Sequence, residues 1–133
     1  MLKSILRETC NKLNIAENVN VIDLGIVKDD GLAIDKAITS AISERECHII
    51  ITSGGVSMGE MDLIKPYIEN RGKVLLGRVN MKPGKPTTFG VIDQTLLFAL
   101  PGNPVSSFVT ANLFLPLTLL ALLDRPYFYD IKQ

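Results

Sequence analysis

Short β-branched runs alternate along this chain with segments of helical periodicity, and that alternation constrains the fold more than any other feature. Val19–Leu24 and Cys47–Thr52 are apolar and β-branched and read as buried parallel strands. Between them, Ile34, Ala37, Ile38, Ala41 and Ile42 mark one face of a helix over Leu32–Glu44. Lys28-Asp29-Asp30-Gly31 supplies the turn and helix-capping residues before it. A first helix is expected from Leu2 to Asn14, and another over Asp62–Asn70. Lys73–Asn80 reads as a third strand. Thr87–Ile92 and Thr95–Leu100, separated by Asp93-Gln94, read as a hairpin that introduces one reversed strand. Strands alternating with helices imply an α/β domain: a mainly parallel sheet covered on both faces, a three-layer α/β/α sandwich.

The order contains an anomaly. A helix opens the chain, whereas a doubly wound sheet begins with a strand. The expected first strand is therefore missing, or another chain or segment fills its place.

The 133 residues make one domain, expected over residues 1–123 with a tail over 124–133. Hydrophobic residues are 47%, enough for a core and against disorder. Fourteen basic and fourteen acidic residues balance, so nothing draws the chain toward nucleic acid or an anionic membrane. Cys10, Cys47 and a single histidine make neither a disulfide framework nor a zinc constellation, and the reading is a cytoplasmic protein with reduced thiols. Met1–Asn18 lacks the apolar run of a secretory signal. Val105–Leu123 is a long apolar helix. Phe108–Leu123 is shorter than the roughly 18–20 residues of a membrane span and holds Pro116, so the helix is expected to be buried or to contact another subunit. Tyr127, Phe128 and Tyr129 in the tail read as packing residues.

Chemistry concentrates in three loops expected at strand ends, where open α/β sheets bind ligands. Thr52–Asp62 holds Gly54 and Gly55, which permit close backbone approach to an anion, and the hydroxyls of Ser53 and Ser57. Glu60 and Asp62 could share a divalent cation with a phosphate. Spacing alone fits a plain strand-to-helix turn equally well. Met81–Thr87 constrains Lys82 and Lys85 around a Pro-Gly turn, a candidate oxyanion site that also reads as two surface lysines. In Leu100–Ser107, Asn103 and Pro104 suit a helix start, with Ser106 and Ser107 in the first turn. Capping and anion binding would use the same atoms there. His48 has no catalytic partner in any motif and reads as structural.

Taken together, TSGGVSMGEMD, MKPGKP and LPGNPVSS, in that order, resemble the molybdopterin molybdenumtransferase family, which includes the gephyrin E domain. VIDLGIVKDD at Val21–Asp30 extends the likeness, which runs from about Val19 to Leu123. The related molybdopterin adenylyltransferases share the fold but carry a GGTG-type loop. The resemblance implies a MoaB/Mog-like, molybdopterin-binding α/β/α domain. It implies magnesium-dependent insertion of molybdate into adenylylated molybdopterin, with release of AMP. By motif, Ser53, Gly54, Gly55 and Ser57 would cradle the nucleotide or pterin phosphate. Asp62, with Glu60, would hold the metal. Lys82 and Lys85 would face molybdate or phosphate, and Gly102, Asn103 and Ser106 would complete the anion site. Family members are about three times longer, have several subdomains and act as dimers, so a homo-oligomer is implied for the full-length proteins. A non-catalytic scaffold or fragment, or an adenylyltransferase, are the other readings.

Overall fold

The computed structural model describes residues 1–55 and 62–125. It contains α1 (Leu2–Lys12), a short helical turn (Ala16–Asn18), α2 (Gly31–Ser43), β1 (Ile49–Ser53), α3 (Ile64–Arg71), β2 (Lys73–Leu76), β3 (Thr88–Ile92), β4 (Thr95–Leu100) and α4 (Pro104–Leu122). The sheet order is β1-β4-β3-β2. β1 and β4 run parallel, and β3 is antiparallel to both β4 and β2. Three strands therefore point one way and one is reversed, as the hairpin implied. The reversed strand sits inside the sheet, so only one of the three ladders is parallel.

The helices bury apolar residues at helical spacing, and α2 and α4 also start behind a side-chain cap. On α2, Ile34, Ile38 and Ala41 are buried at helical spacing, and the Asp30 carboxylate accepts the Leu32 N–H at 3.2 Å. On α3, Ile64 and Ile68 are buried one turn apart. On α1, Ile5 and Thr9 are buried and Asn14 leaves the helix at φ 57°. α4 starts at Pro104 behind an Asn103 cap.

The core lies on both faces of the sheet. Leu97 and Ala99 of β4 face α2 and α3, where they join Ile34, Ile38, Ala41, Ile50, Ile64 and Ile68. Phe98 and Leu100 face the other way, onto Ile5 of α1 and Ala111 and Leu115 of α4. This period-two division of one strand makes the three-layer sandwich. Phe89 and Phe98 stack across β3 and β4 with centroids 4.4 Å apart. α2 and α3 are tied together by Asp35, which accepts from the Tyr67 hydroxyl at 2.8 Å and from the Arg71 guanidinium at 2.7 Å.

Val19–Leu24 is not a strand. The Asp23 carboxylate captures the Gly25 N–H at 2.9 Å and Gly25 turns at φ 78°, so a local turn displaces the ladder. That hydrogen bond, and then Lys3 at 3.7 Å, hold the Asp23 carboxyl below its ordinary pKa. Asp23 to Asp30 are all exposed. Lys73–Asn80 shortens to the four residues of β2, ending after a register break between Val74 and Leu76.

α4 buries Ala111, Leu115, Leu119 and Leu120, while Val105, Phe108, Leu113 and Leu122 are exposed. By length and composition alone this helix could cross a membrane. Both cysteines are free, and burial pushes the Cys10 thiol pKa up. Tyr127, Phe128 and Tyr129 lie outside the described residues.

Candidate functional site

The topology brings the three loops to one end of the sheet. β1 and β4 are parallel, so the turns after Ser53 and after Leu100 leave from the same end. Thr88 opens β3 opposite Ala99, so Met81–Thr87 enters at that end too. This is the carboxyl end of the parallel pair, where ligands bind in open α/β sheets.

The first and third loops touch through backbone. Gly54 donates its N–H to Leu100 O at 3.0 Å. A Cβ on Gly102 would stand 3.3 Å from Gly54 Cα, closer than most side chains tolerate. Gly54 and Gly55 adopt φ 87° and 70°, the left-handed region in which glycine is unpenalised. The Gly55 carbonyl then accepts from Leu63 and Ile64, which leads the chain into α3. Ser53 is exposed at the strand end. Ser57 and Glu60 lie outside the described residues.

The second loop sits on α4. A Cβ on Gly84 (φ 113°) would come within 2.4 Å of Thr110 Cγ2, and Met81 Sδ is next nearest. The Gly84 carbonyl accepts both the N–H and the hydroxyl of Thr87, at 3.0 and 2.7 Å. The Lys85 carbonyl accepts from Val79 N–H. These bonds hold the backbone of a concavity of ≈ 500 Å³ lined by Asn80 to Pro86. Lys82 and Lys85 are exposed there, and neither joins an ion pair among the described residues.

In the third loop the helix start is a complete cap. Asn103 Oδ1 accepts from Val105 N–H at 2.9 Å and Ser106 N–H at 3.3 Å. Ser107 N–H donates to the Asn103 carbonyl, and Pro104 has no N–H. The first-turn amides that suited an anion are therefore committed to the cap. The Ser107 hydroxyl donates to the Pro101 carbonyl, which ties the turn to the helix. Ser106 is half-buried, and Gly102 and Asn103 are exposed.

Asp62 is half-buried before α3, and one of its oxygens accepts the Lys65 N–H at 3.3 Å. Among the described residues, no three His, Cys, Asp or Glu side chains gather as a metal site. One carboxylate of this kind fits Mg2+ only if phosphate oxygens and water complete the shell.

Sequence reasoning missed Thr52. Its hydroxyl, one residue before Ser53, is buried and has no partner among the described residues. Nothing in its spacing signals this, because burial of one hydroxyl depends on packing around the strand end. His48 is exposed and contributes its carbonyl to Leu96 N–H.

The family described as probable molybdopterin binding domain matches residues 1–120. A gephyrin of Dictyostelium discoideum is 42% identical over 132 residues, covering 85% of this chain and 18% of its own length. A molybdopterin molybdenumtransferase of Haemophilus influenzae is 44% identical over 90 residues, covering 68% of this chain and 22% of its own. The chain thus spans about a fifth of these relatives. The crystal structure of a molybdopterin biosynthesis MoeA protein from Pyrococcus horikosii superposes with a TM-score of 0.75 at 29% identity, over 94% of this chain and 29% of that one. A MoaB enzyme of Thermus thermophilus shares the fold at TM-score 0.58 and 20% identity, over 75% of this chain and 72% of that one. The chain belongs to the molybdopterin-binding domain family, and its resemblance to the molybdenumtransferases and gephyrin covers its single domain.

Proposed function

We propose that this chain is the central domain of a molybdenum insertase and acts in molybdenum cofactor biosynthesis. The reaction is insertion of molybdate into adenylylated molybdopterin, with release of AMP. The observation that carries this reading is the gathering of the three motif loops at one sheet end.

The roles follow the chemistry of each loop. Ser53, Gly54 and Gly55, with Ser57, lie against the nucleotide or pterin phosphate, where glycine lets the backbone come close. Lys82 and Lys85 hold the oxyanion. Two ammonium groups on a fixed turn repel each other until an anion lies between them, so binding relieves that repulsion. Gly102 keeps the first and third loops in contact, while Asn103 and Ser106 offer an amide and a hydroxyl at the start of α4. Asp62, with Glu60, would hold Mg2+ through its uncapped oxygen, and the ion when bound would neutralise phosphate charge. Cleaving a pyrophosphate link requires positioned cations and donors more than a strong nucleophile.

A second reading is a non-catalytic scaffold. The exposed Val105, Phe108 and Leu113 on α4 favour it, because they offer apolar surface to a partner. We place the protein in the cytoplasm and, in its full-length relatives, in a homo-oligomer. The test is AMP release from adenylylated molybdopterin, with and without molybdate and magnesium, on a sample shown to be folded. Molybdate-dependent release supports the insertase. Turnover of ATP with molybdopterin points instead to an adenylyltransferase, and binding of neither molybdopterin nor AMP points to a scaffold.

A further inference from the structure

We propose that Lys65, lying over Gly77, and Arg78, the residue after it, form a second anion subsite at the end of β2, which takes a phosphate group. β2 is antiparallel to β3, and β3 to β4, so β2 runs with β1 and β4 and leaves the sheet at the loop-bearing end. Leu76 pairs with Phe89, next to the Thr88–Ala99 pair where the second loop enters. The chain passes from there straight into that loop: Val79 N–H donates to Lys85 O at 3.0 Å, and Met81 N–H to Val79 O at 2.9 Å. α3 starts at the same end, because the Gly55 carbonyl accepts from Leu63 and Ile64.

Stability does not explain where Lys65 stands. It is in the first turn of α3, a turn with no acidic residue, where the helix dipole disfavours a cation. Half-buried, it makes no ion pair among the described residues, although Glu69 lies one turn on and Asp62 accepts its backbone N–H. Its side chain runs instead across Gly77. A Cβ there would stand 3.1 Å from Cε and 3.3 Å from Nζ of Lys65. Gly77 is not among the glycines with positive φ, so its missing side chain serves this approach and not the backbone.

Arg78 is exposed and also joins no ion pair among the described residues. A chain of zero net charge thus places two such cations at one strand end. A guanidinium matches two phosphate oxygens with parallel N–H groups, and an ammonium adds a point charge. A bound phosphate would relieve the repulsion between them. The subsite is separate from the lysine turn. Gly84 seats that turn on Thr110 of α4, whereas Lys65 belongs to α3, whose core residues pack on the opposite face of the sheet. The inference goes beyond the proposed reaction, since it needs only a ligand that carries a phosphate and is read without turnover.

The experiment titrates inorganic pyrophosphate into the 15N-labelled chain and follows the Gly77 amide, with adenosine as the phosphate-free control. Pyrophosphate is expected to shift this amide saturably, and adenosine is not. Lys65→Met keeps the stem and removes the charge, and Arg78→Gln removes the guanidinium. Each is expected to weaken the binding read at Gly77 about tenfold at unchanged Tm. Gly77→Val fills the space beside the ammonium. Read at the Arg78 amide, it is expected to weaken binding, with no further loss when Lys65→Met is added. With Lys82→Ala and Lys85→Ala combined, the Gly77 shift is expected to remain. A Gly77 amide that pyrophosphate leaves unmoved overturns the proposal. So do unchanged affinities in Lys65→Met and Arg78→Gln, or loss of the Gly77 shift when only Lys82 and Lys85 are replaced. A Tm lowered by Lys65→Met in wild type but not in a Glu60→Gln background also overturns it, by giving the ammonium to Glu60.

Discussion

Gly84 joins the second loop to α4, and replacing it with alanine tests how the lysine turn is held. Two separate costs arise. The residue sits at φ 113°, where an L side chain is strained by about 1–3 kcal/mol. Its new Cβ would also lie 2.4 Å from Thr110 Cγ2, an overlap that forces α4 or the loop to move, for about 1–3 kcal/mol. Gly84→Ala should therefore destabilise the domain by about 2–6 kcal/mol. The steric part has a specific remedy. Thr110→Ser removes Cγ2 but keeps the hydroxyl that donates to the Ser106 carbonyl at 2.7 Å. Alone it should cost about 1 kcal/mol for one buried methyl group. In the double variant the clash is gone, and only the backbone strain and the lost methyl remain. Urea unfolding of the four proteins, compared by midpoint at constant slope, gives the cycle. A coupling of about 1–3 kcal/mol in the relieving direction is expected. Additivity within about 0.5 kcal/mol would refute the contact, because residues that do not touch add.

Three further outcomes follow from the site and its supports. Asn103→Ala strips the side-chain oxygen that accepts the Val105 and Ser106 N–H groups and should cost about 0.5–2 kcal/mol, read as a lower Tm; an unchanged Tm would mean the α4 start is held by Ser107 and Pro101 alone. Burial, and then the Asp35 carboxylate beside it, raise the Tyr67 pKa above its ordinary 10.0, so its stabilisation is complete below that pH and is lost as pH rises through the folded value. Tyr67→Phe should flatten the decline of stability above about pH 10, and a decline identical to wild type would remove Tyr67 as its source. Lys82→Ala and Lys85→Ala should each weaken molybdate or phosphate binding about tenfold, near 1.4 kcal/mol, and leave Tm unchanged. Unchanged affinity by titration calorimetry would return both lysines to plain surface.

How much of this was legible depended on whether local signals agreed. The α2 stripe at Ile34, Ile38 and Ala41 and its Asp30 cap are independent signals for one helix, and both hold. The Asp93-Gln94 turn between two apolar runs marked the hairpin, and Asp93 adopts the left-handed φ of 53° that such a turn accepts. Val19–Leu24 has strand composition, but Asp23 and Gly25 carry their own turn, and a six-residue window does not show which wins. The candidate site was legible as three motifs and not as a place. Sequence order separates Ser53 from Gly102, and only the parallel pairing of β1 and β4 makes their neighbours touch. That the buried Thr52 hydroxyl has no partner among the described residues was invisible for the same reason.

The geometry narrows which groups can bind an anion here. A helix N-terminus is ordinarily the first candidate, because its free N–H groups and dipole favour negative charge. On α4 those groups are taken: Asn103 holds Val105, Ser106 and Ser107, and Pro104 has none to give. The Gly54 amide is likewise spent on Leu100. With these amides taken, Lys82 and Lys85 are the described cations within the loops that can hold an anion at this end. Ammonium groups on flexible stems hold oxyanions as mobile point charges, with little of the directional specificity of a backbone cradle. Such a site should tolerate tetrahedral oxyanions of different size and lose affinity steeply with salt. A weak salt dependence, with strong preference for one oxyanion, would instead mean that backbone amides, those of the Asn103 cap or of the first loop, hold the anion.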